Sequence, residues 1–261
     1  MGYATVILEK ADGIVTLTLN RPEARNAIDL TMRGEIVSAL AELRDDGALR
    51  VLVLTGTGGH FCAGGDVKSM KAKRHSAAEG RARVESLNRM VLSLVHFPRP
   101  TIAMVDGFAV GAGCNLALCC DLIVASERAK FGEVFARIGL VPDGAGTYFL
   151  PRRVGLGKAK ELVFTADVID AAEGLRIGLV NRVVPPDDLK AVTLELALKI
   201  AQGPPRALAL AKELLNRAST SELDAALDLE AFAQAVALTT EDHQEGLAAF
   251  FEKRPPRFTG Q

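Results

Sequence analysis

An α/β fold is predicted for this chain, with strand–helix units first and helices last. Short apolar runs at Arg50–Thr55, Thr101–Val105 and Leu122–Ala125 read as covered strands. Segments of helical periodicity lie between them. From Lys158 to Lys253 the pattern is mainly helical, broken by a short strand at Leu179–Pro185. The 261 residues are enough for one large α/β domain, or a core with a small helical appendage.

Taken in order, Ala4–Glu9 and Ile14–Asn20 alternate apolar and polar residues around Asp12-Gly13, a hairpin signal. A polar turn, Asn20 to Ala27, leads to Asp29. This aspartate suits the cap of a helix whose apolar positions are Leu30, Ile36, Val37, Leu40 and Leu43. Asp45-Asp46-Gly47 stops that helix. After the Arg50–Thr55 strand comes a glycine loop, Gly56 to Asp66. The dinucleotide fingerprint G-x-G-x-x-G fails there, because Phe61 holds the third glycine position. Phe61, Cys62 and Ala63 are not solvent-loop residues, which favours a ligand-binding backbone over a plain surface loop. Ser76–Leu94 is a helix with an Arg/Glu-rich exposed side. Phe131–Ile138 reads as a short amphipathic helical turn, and Gly139–Thr147 as a turn entering the next helix.

The stretch Thr101–Asp121 reads as a buried strand, a tight turn and a helix apolar nearly all round. Gly107, Gly111 and Gly113 permit sharp turning and close approach of a ligand. Amides at the start of that helix lack intrahelical partners and can stabilise a developing oxyanion. The alternative is an ordinary glycine-rich strand-to-helix connection.

Composition narrows the functional classes. At 49% hydrophobic and 24% charged residues the chain is globular rather than disordered. A net charge of −1 provides no field for nucleic acid or an anionic membrane. No apolar run reaches the roughly 18 residues that span a bilayer, and Met1–Lys10 lacks a signal-peptide layout. Cys62, Cys114, Cys119 and Cys120 lack metal-ligand spacing and are expected as reduced core thiols in a cytoplasmic protein.

Several of these motifs together resemble the enoyl-CoA hydratase/isomerase family, the crotonase superfamily, over essentially the whole chain. They are Asn20-Arg21-Pro22 with Asn26-Ala27, Phe61 to Val67, Gly107 to Cys114, Phe131-Gly132, Pro142, and the tail from Glu245-Gly246 through Phe250 to Arg254. The resemblance implies a spiral of ββα repeats over residues 1–200 and a C-terminal helical trimerisation region over 201–261. A homotrimer or dimer of trimers follows. It also implies an acyl-CoA thioester as substrate, so coenzyme A enters as part of the substrate and no separate cofactor or metal is needed.

By motif, the backbone N–H groups of Gly65 and Ala112 would hold the thioester oxygen; the family usually has glycine at the second of these. Coenzyme A contacts map onto Arg25, Ala27, the backbone around Ala63, Asp66 and Val67, and onto Phe250 and Lys253, the last two serving a neighbouring subunit. A solvated terminal lysine is the other reading of Lys253.

Hydratases of this family use two glutamates, at the positions held here by Asn115 and Phe135. Asparagine cannot exchange a proton near neutral pH, and phenylalanine only excludes water. Glu133, two residues before Phe135 along a helix, is expected on a different face. Asp143 remains. Family members that shift double bonds, dehalogenate aryl-CoA or close rings place an aspartate in this loop, and Gly139-Leu140-Val141-Pro142-Asp143 with the terminal Arg254–Gly260 looks particularly like the ring-1,2-epoxyphenylacetyl-CoA isomerase branch. Asp143 is therefore the candidate acid/base. The alternative for Asp143 is a helix N-cap. Phe108, Phe131 and Phe135 are candidates for an apolar wall, or for core packing.

The expected activity is double-bond isomerisation of an enoyl-CoA in fatty-acid or aromatic-acid breakdown. Competing readings are a hydratase with a displaced carboxylate and a catalytically silent acyl-CoA-binding subunit. Nucleophilic hydrolysis or dehalogenation by Asp143 is also open.

Overall fold

The computed structural model describes residues 2–67 and 76–261. Strands β1 (Val6–Ala11) and β2 (Ile14–Leu19) pair antiparallel with Ala11 opposite Ile14. Asp12 and Gly13 both have positive φ, 53° and 75°, as a two-residue hairpin turn requires. Helix α1 (Leu30–Arg44) follows, capped by the Asp29 carboxylate accepting from the Met32 amide at 2.8 Å. Next come β3 (Val51–Gly56) and α2 (Ala77–Val95), the latter opened by a reciprocal Ser76–Glu79 capping box.

The stretch after Pro100 departs from the expected strand, turn and helix. Strand β4 (Thr101–Val105) turns at Gly107 into a second short strand, β5 (Phe108–Val110), before the seven-residue helix α3 (Ala112–Leu118). Strand β6 (Leu122–Ser126) is where expected. Phe131-Gly132, read as helix, lies instead on strand β7 (Lys130–Gly132), and a 3-10 turn spans Val134–Ile138. These three-residue strands are too short for alternation to be legible. Helices α4 (Gly146–Val154) and α5 (Leu156–Thr165) precede β8 (Val168–Asp170) and α6 (Ala171–Arg176). Strand β9 (Arg182–Val184) leads into α7 (Leu189–Ala201), α8 (Pro205–Ala218), α9 (Leu223–Leu238) and α10 (Glu241–Glu252).

Six strands form one sheet in the order β1-β2-β3-β4-β6-β9, parallel beyond the first pair. A second sheet has the order β5-β7-β8. Period-two alternation sorts the large sheet's side chains. Val51, Val53, Ile102 and Val124 pack against α7, while Leu52, Leu54, Ala103 and Ile123 face α1, α2 and α3 in the main core. All four cysteines are buried free thiols.

The terminal helices are fastened by charge. Lys212 of α8 reaches the Asp121 carboxylate at 2.8 Å, which also accepts from Thr101 N–H at 2.7 Å. Buried Asp242 accepts from the Thr259 and Gly260 amides, and Glu245 takes Arg254 in two bonds of 2.6 and 2.8 Å. No helix among the described residues is long and apolar enough to cross a membrane.

Candidate active site

The glycine loop is drawn into the fold by β5. Cys62 N–H donates to the Phe108 carbonyl at 2.8 Å, and Val110 N–H donates to the Cys62 carbonyl at 3.1 Å. Phe61 and Cys62 are therefore fully buried. Gly113 lies so close to Cys62 that a Cβ there would overlap its carbonyl, and Gly64 is similarly tight against the Val110 carbonyl. A Cβ on Gly64 would sit 3.5 Å from the Ala112 nitrogen, so the loop and the start of α3 are side by side. Gly111, at φ 55°, turns the chain between β5 and α3. Among the described residues neither the Gly65 nor the Ala112 N–H has a protein acceptor. Two neighbouring free amides remain beside a buried helix, an arrangement able to hold an anionic oxygen.

The loop is held to the Asn20–Ala27 turn by side chains. Buried Asn26, itself in a left-handed conformation, donates to the Thr57 and His60 carbonyls at 2.9 and 2.8 Å and accepts from Arg21 N–H. Arg21 donates to the Ala27 carbonyl at 2.6 Å and to Asp66 at 3.2 Å. Ala63 N–H donates to the Arg25 carbonyl at 2.9 Å. Arg25, Ala27, Ala63, Asp66 and Val67 thus come together, with exposed Arg25 lying over the Phe108 ring. Phe250 and Lys253 are not brought to this cluster within the single chain. Both are exposed on the end of α10, where Phe250 stacks edge-on against Phe251.

A second group of side chains lies beyond the free amides. Asn115 of α3 is fully buried, and its Nδ2 donates to the Asp143 carbonyl at 2.8 Å. A Cβ on Gly146 would collide with the same carboxamide, so only glycine lets the loop close over it. The loop turns through Gly144 and Ala145, both at positive φ. Ala145, with no side-chain capping bond, occupies the N-cap of α4, so the N-cap alternative for Asp143 is excluded. Burial raises the proton affinity of the Asp143 carboxyl, and the Arg33 guanidinium of α1 pulls it back down. Asp143 Oδ1 is buried with no donor.

One residue departs from its expected place, and a second was not anticipated. Glu133 does not sit within a helix, but in the bend between β7 and the 3-10 turn, which sends its side chain inward. It is 1% exposed, and its Oε2 lies 3.4 Å from Asn115 Nδ2. Arg33, buried and donating to the Arg83 carbonyl at 2.8 Å, was hidden from sequence reading because it occupies one position of an amphipathic helix. Of the three phenylalanines, Phe131 belongs to the core beside Gly174 and Phe108 stacks on His60. Phe135 alone lies against Gly111.

Asn115→Ala is expected to strand the Asp143 carbonyl without a donor, costing about 1–3 kcal/mol. Thermal unfolding checks the stability loss, and steady-state kinetics checks a fall in kcat with little change in KM.

The family model for enoyl-CoA hydratase/isomerase matches residues 9–261. Crotonyl-CoA hydratase of Syntrophomonas wolfei is 41% identical over 260 residues, 99% of each chain. The 1,2-epoxyphenylacetyl-CoA isomerase of Escherichia coli is 37% identical over 251 residues, 95% of this chain and 96% of that one. The crystal structure of an enoyl-CoA hydratase from Bacillus anthracis superposes with a TM-score of 0.95 at 34% identity, covering 99% of this chain and all of the other.

Proposed function

This chain belongs to the enoyl-CoA hydratase/isomerase family and has the crotonase fold, and we propose that within that family it shifts a double bond along an enoyl-CoA thioester. Asp143 is the acid/base, and the Gly65 and Ala112 amides hold the thioester oxygen as the enolate forms. The observation that carries this reading is the bond from Asn115 to the Asp143 backbone. Where the family's hydratases have a glutamate, this chain uses a carboxamide to fix the loop bearing Asp143. Phe135 stands at the other glutamate position and is apolar. One carboxylate suffices for isomerisation: it removes a proton α to the thioester and returns it two carbons away. Conversion of a 3-enoyl-CoA to the conjugated 2-enoyl-CoA, followed by ultraviolet absorbance, tests this; no conversion with any chain length would refute it.

Coenzyme A is carried by Arg25, Ala27, Ala63, Asp66 and Val67, with Phe250 and Lys253 supplied from a neighbouring subunit. The exposed apolar side chains Leu215, Leu223, Phe232, Phe250 and Phe251 support assembly through the C-terminal helices as a trimer or dimer of trimers. The reaction calls for no metal or redox cofactor, and the four reduced thiols accord with a cytoplasmic enzyme.

Hydration is the second reading. The name of the Syntrophomonas relative favours it, and so does Glu133, a carboxylate displaced from both usual positions.

The base works deprotonated, so activity is expected to fall as pH drops through the Asp143 value, which burial sets above the ordinary aspartate range. Arg33→Met removes the cation that favours the charged form. It should move this acid limb of the kcat/KM profile to higher pH.

A further inference from the structure

We propose that Glu133 is a positioning residue for Asp143: its buried carboxyl, joined to the Asp143 loop through Asn115, holds a proton in the working enzyme and leaves Asp143 the only anion of the pair. This rests on the reading of Asp143 as the base.

Hydrogen-bond accounting supports it. One carboxamide, Asn115 Nδ2, is offered both to the Asp143 carbonyl at 2.8 Å and to Glu133 Oε2 at 3.4 Å. Three buried oxygens close to that bridge have no donor: Asn115 Oδ1, Glu133 Oε1 and Asp143 Oδ1. Oxygens clustered out of water need hydrogens, and a carboxyl that keeps its proton converts an acceptor into a donor. Two carboxylates in one dry site do not both ionise readily.

The charged neighbours decide which of the two is the acid. Arg33 of α1 acts on Asp143 and favours its anion. Around Glu133 are the Cys114 thiol, the Asn115 amide and the Asp143 carboxyl, with no cation among the groups that shift it; the cation Arg153 acts on the Cys114 thiol. The thiol is itself held protonated by burial. Glu133 is also the more deeply buried of the two. Burial first, and Asp143 in addition, push its carboxyl up to about 7.

Raising the pH above that value ionises Glu133 and sets a second negative charge beside the base and the developing enolate. The wild-type rate should therefore show an alkaline limb, falling about tenfold one pH unit above the Glu133 value. Folding is linked in the same direction. The folded state binds this proton more tightly than the unfolded chain does, so stability declines as pH rises from the ordinary glutamate range to about 7 and levels off above.

The test compares Glu133→Gln and Glu133→Ala in the full chain. Glutamine keeps the shape and permanent neutrality of the protonated acid. It is expected to abolish the alkaline limb and the Glu133 share of the fall in stability between the ordinary glutamate range and about 7, while alanine lowers kcat across the whole pH range by about tenfold. An alkaline limb that survives unchanged in Glu133→Gln would overturn the proposal. Carboxyl carbon NMR of selectively labelled glutamate supplies a readout independent of turnover. Glu133 should titrate near 7 in the wild type and move toward the ordinary range in Asp143→Asn. Titration of Glu133 in the ordinary glutamate range would overturn the proposal whatever the enzyme catalyses. If instead Glu133 titrates near 7 but Asp143→Asn retains full activity, the assignment of Asp143 as base fails and the charge assignment stands.

Discussion

Asp143→Asn is expected to lower proton exchange on the acyl chain by about 100- to 10,000-fold, the usual range for loss of a general acid/base. The substitution keeps the volume of the side chain and leaves the backbone carbonyl that Asn115 binds at 2.8 Å. Binding of the acyl-CoA should change little, because the amides of Gly65 and Ala112 are untouched. The loss therefore belongs in kcat rather than KM. Stability should hold or rise slightly, since a buried carboxyl with an unpartnered oxygen is replaced by a neutral amide. Rapid-mixing kinetics with a saturating enoyl-CoA, alongside an equilibrium binding measurement, separates the two effects. A variant that loses binding and turnover together would point to collapse of the loop.

Gly113→Ala is expected to disturb the site strongly, because an added methyl has no room there. The new Cβ would overlap the carbonyl of Cys62, and that carbonyl is already fixed by the Val110 N–H at 3.1 Å. Backbone must move on one side or the other. Overpacking of this kind costs about 3 kcal/mol, equivalent to roughly 6–12 °C in Tm for a chain of this size. Displacing α3 from the loop also separates the Gly65 and Ala112 amides, and loss of one such donor typically costs about 100- to 1000-fold in kcat. Gly80→Ala provides the contrast. Gly80 lies in α2 with open space around it and an ordinary helical conformation, so alanine there should stabilise by about 0.5–1 kcal/mol. Calorimetry of the two variants checks both signs.

How much of this could be read from the chain depends on whether a feature is periodic or merely adjacent. The α1 cap at Asp29, the Asp12-Gly13 hairpin and the covered strands were legible, because each is local and each satisfies a backbone requirement. The loop cluster of Arg25, Ala27, Ala63, Asp66 and Val67 was legible only through the family motif. Its geometry depends on Asn26 and Arg21 bonding across 31 to 45 residues of sequence. Strands β5, β7 and β8 were missed, as three residues carry no alternation. Glu133 points inward for the same reason: a β-strand ending one residue earlier, rather than a helix, sets the direction of its side chain. Arg33 and Glu133 reach the site from elements distant in sequence, and no local pattern marks a residue whose meaning lies in its spatial neighbour.

The most direct measurement is mass spectrometry of trans-2- and 3-enoyl-CoA thioesters incubated with the enzyme in heavy water. Deuterium entering the acyl chain with no added water, and failing to enter with Asp143→Asn, is the predicted result. A product heavier by one water would contradict it and make the protein a hydratase, with Glu133 the carboxylate to test next.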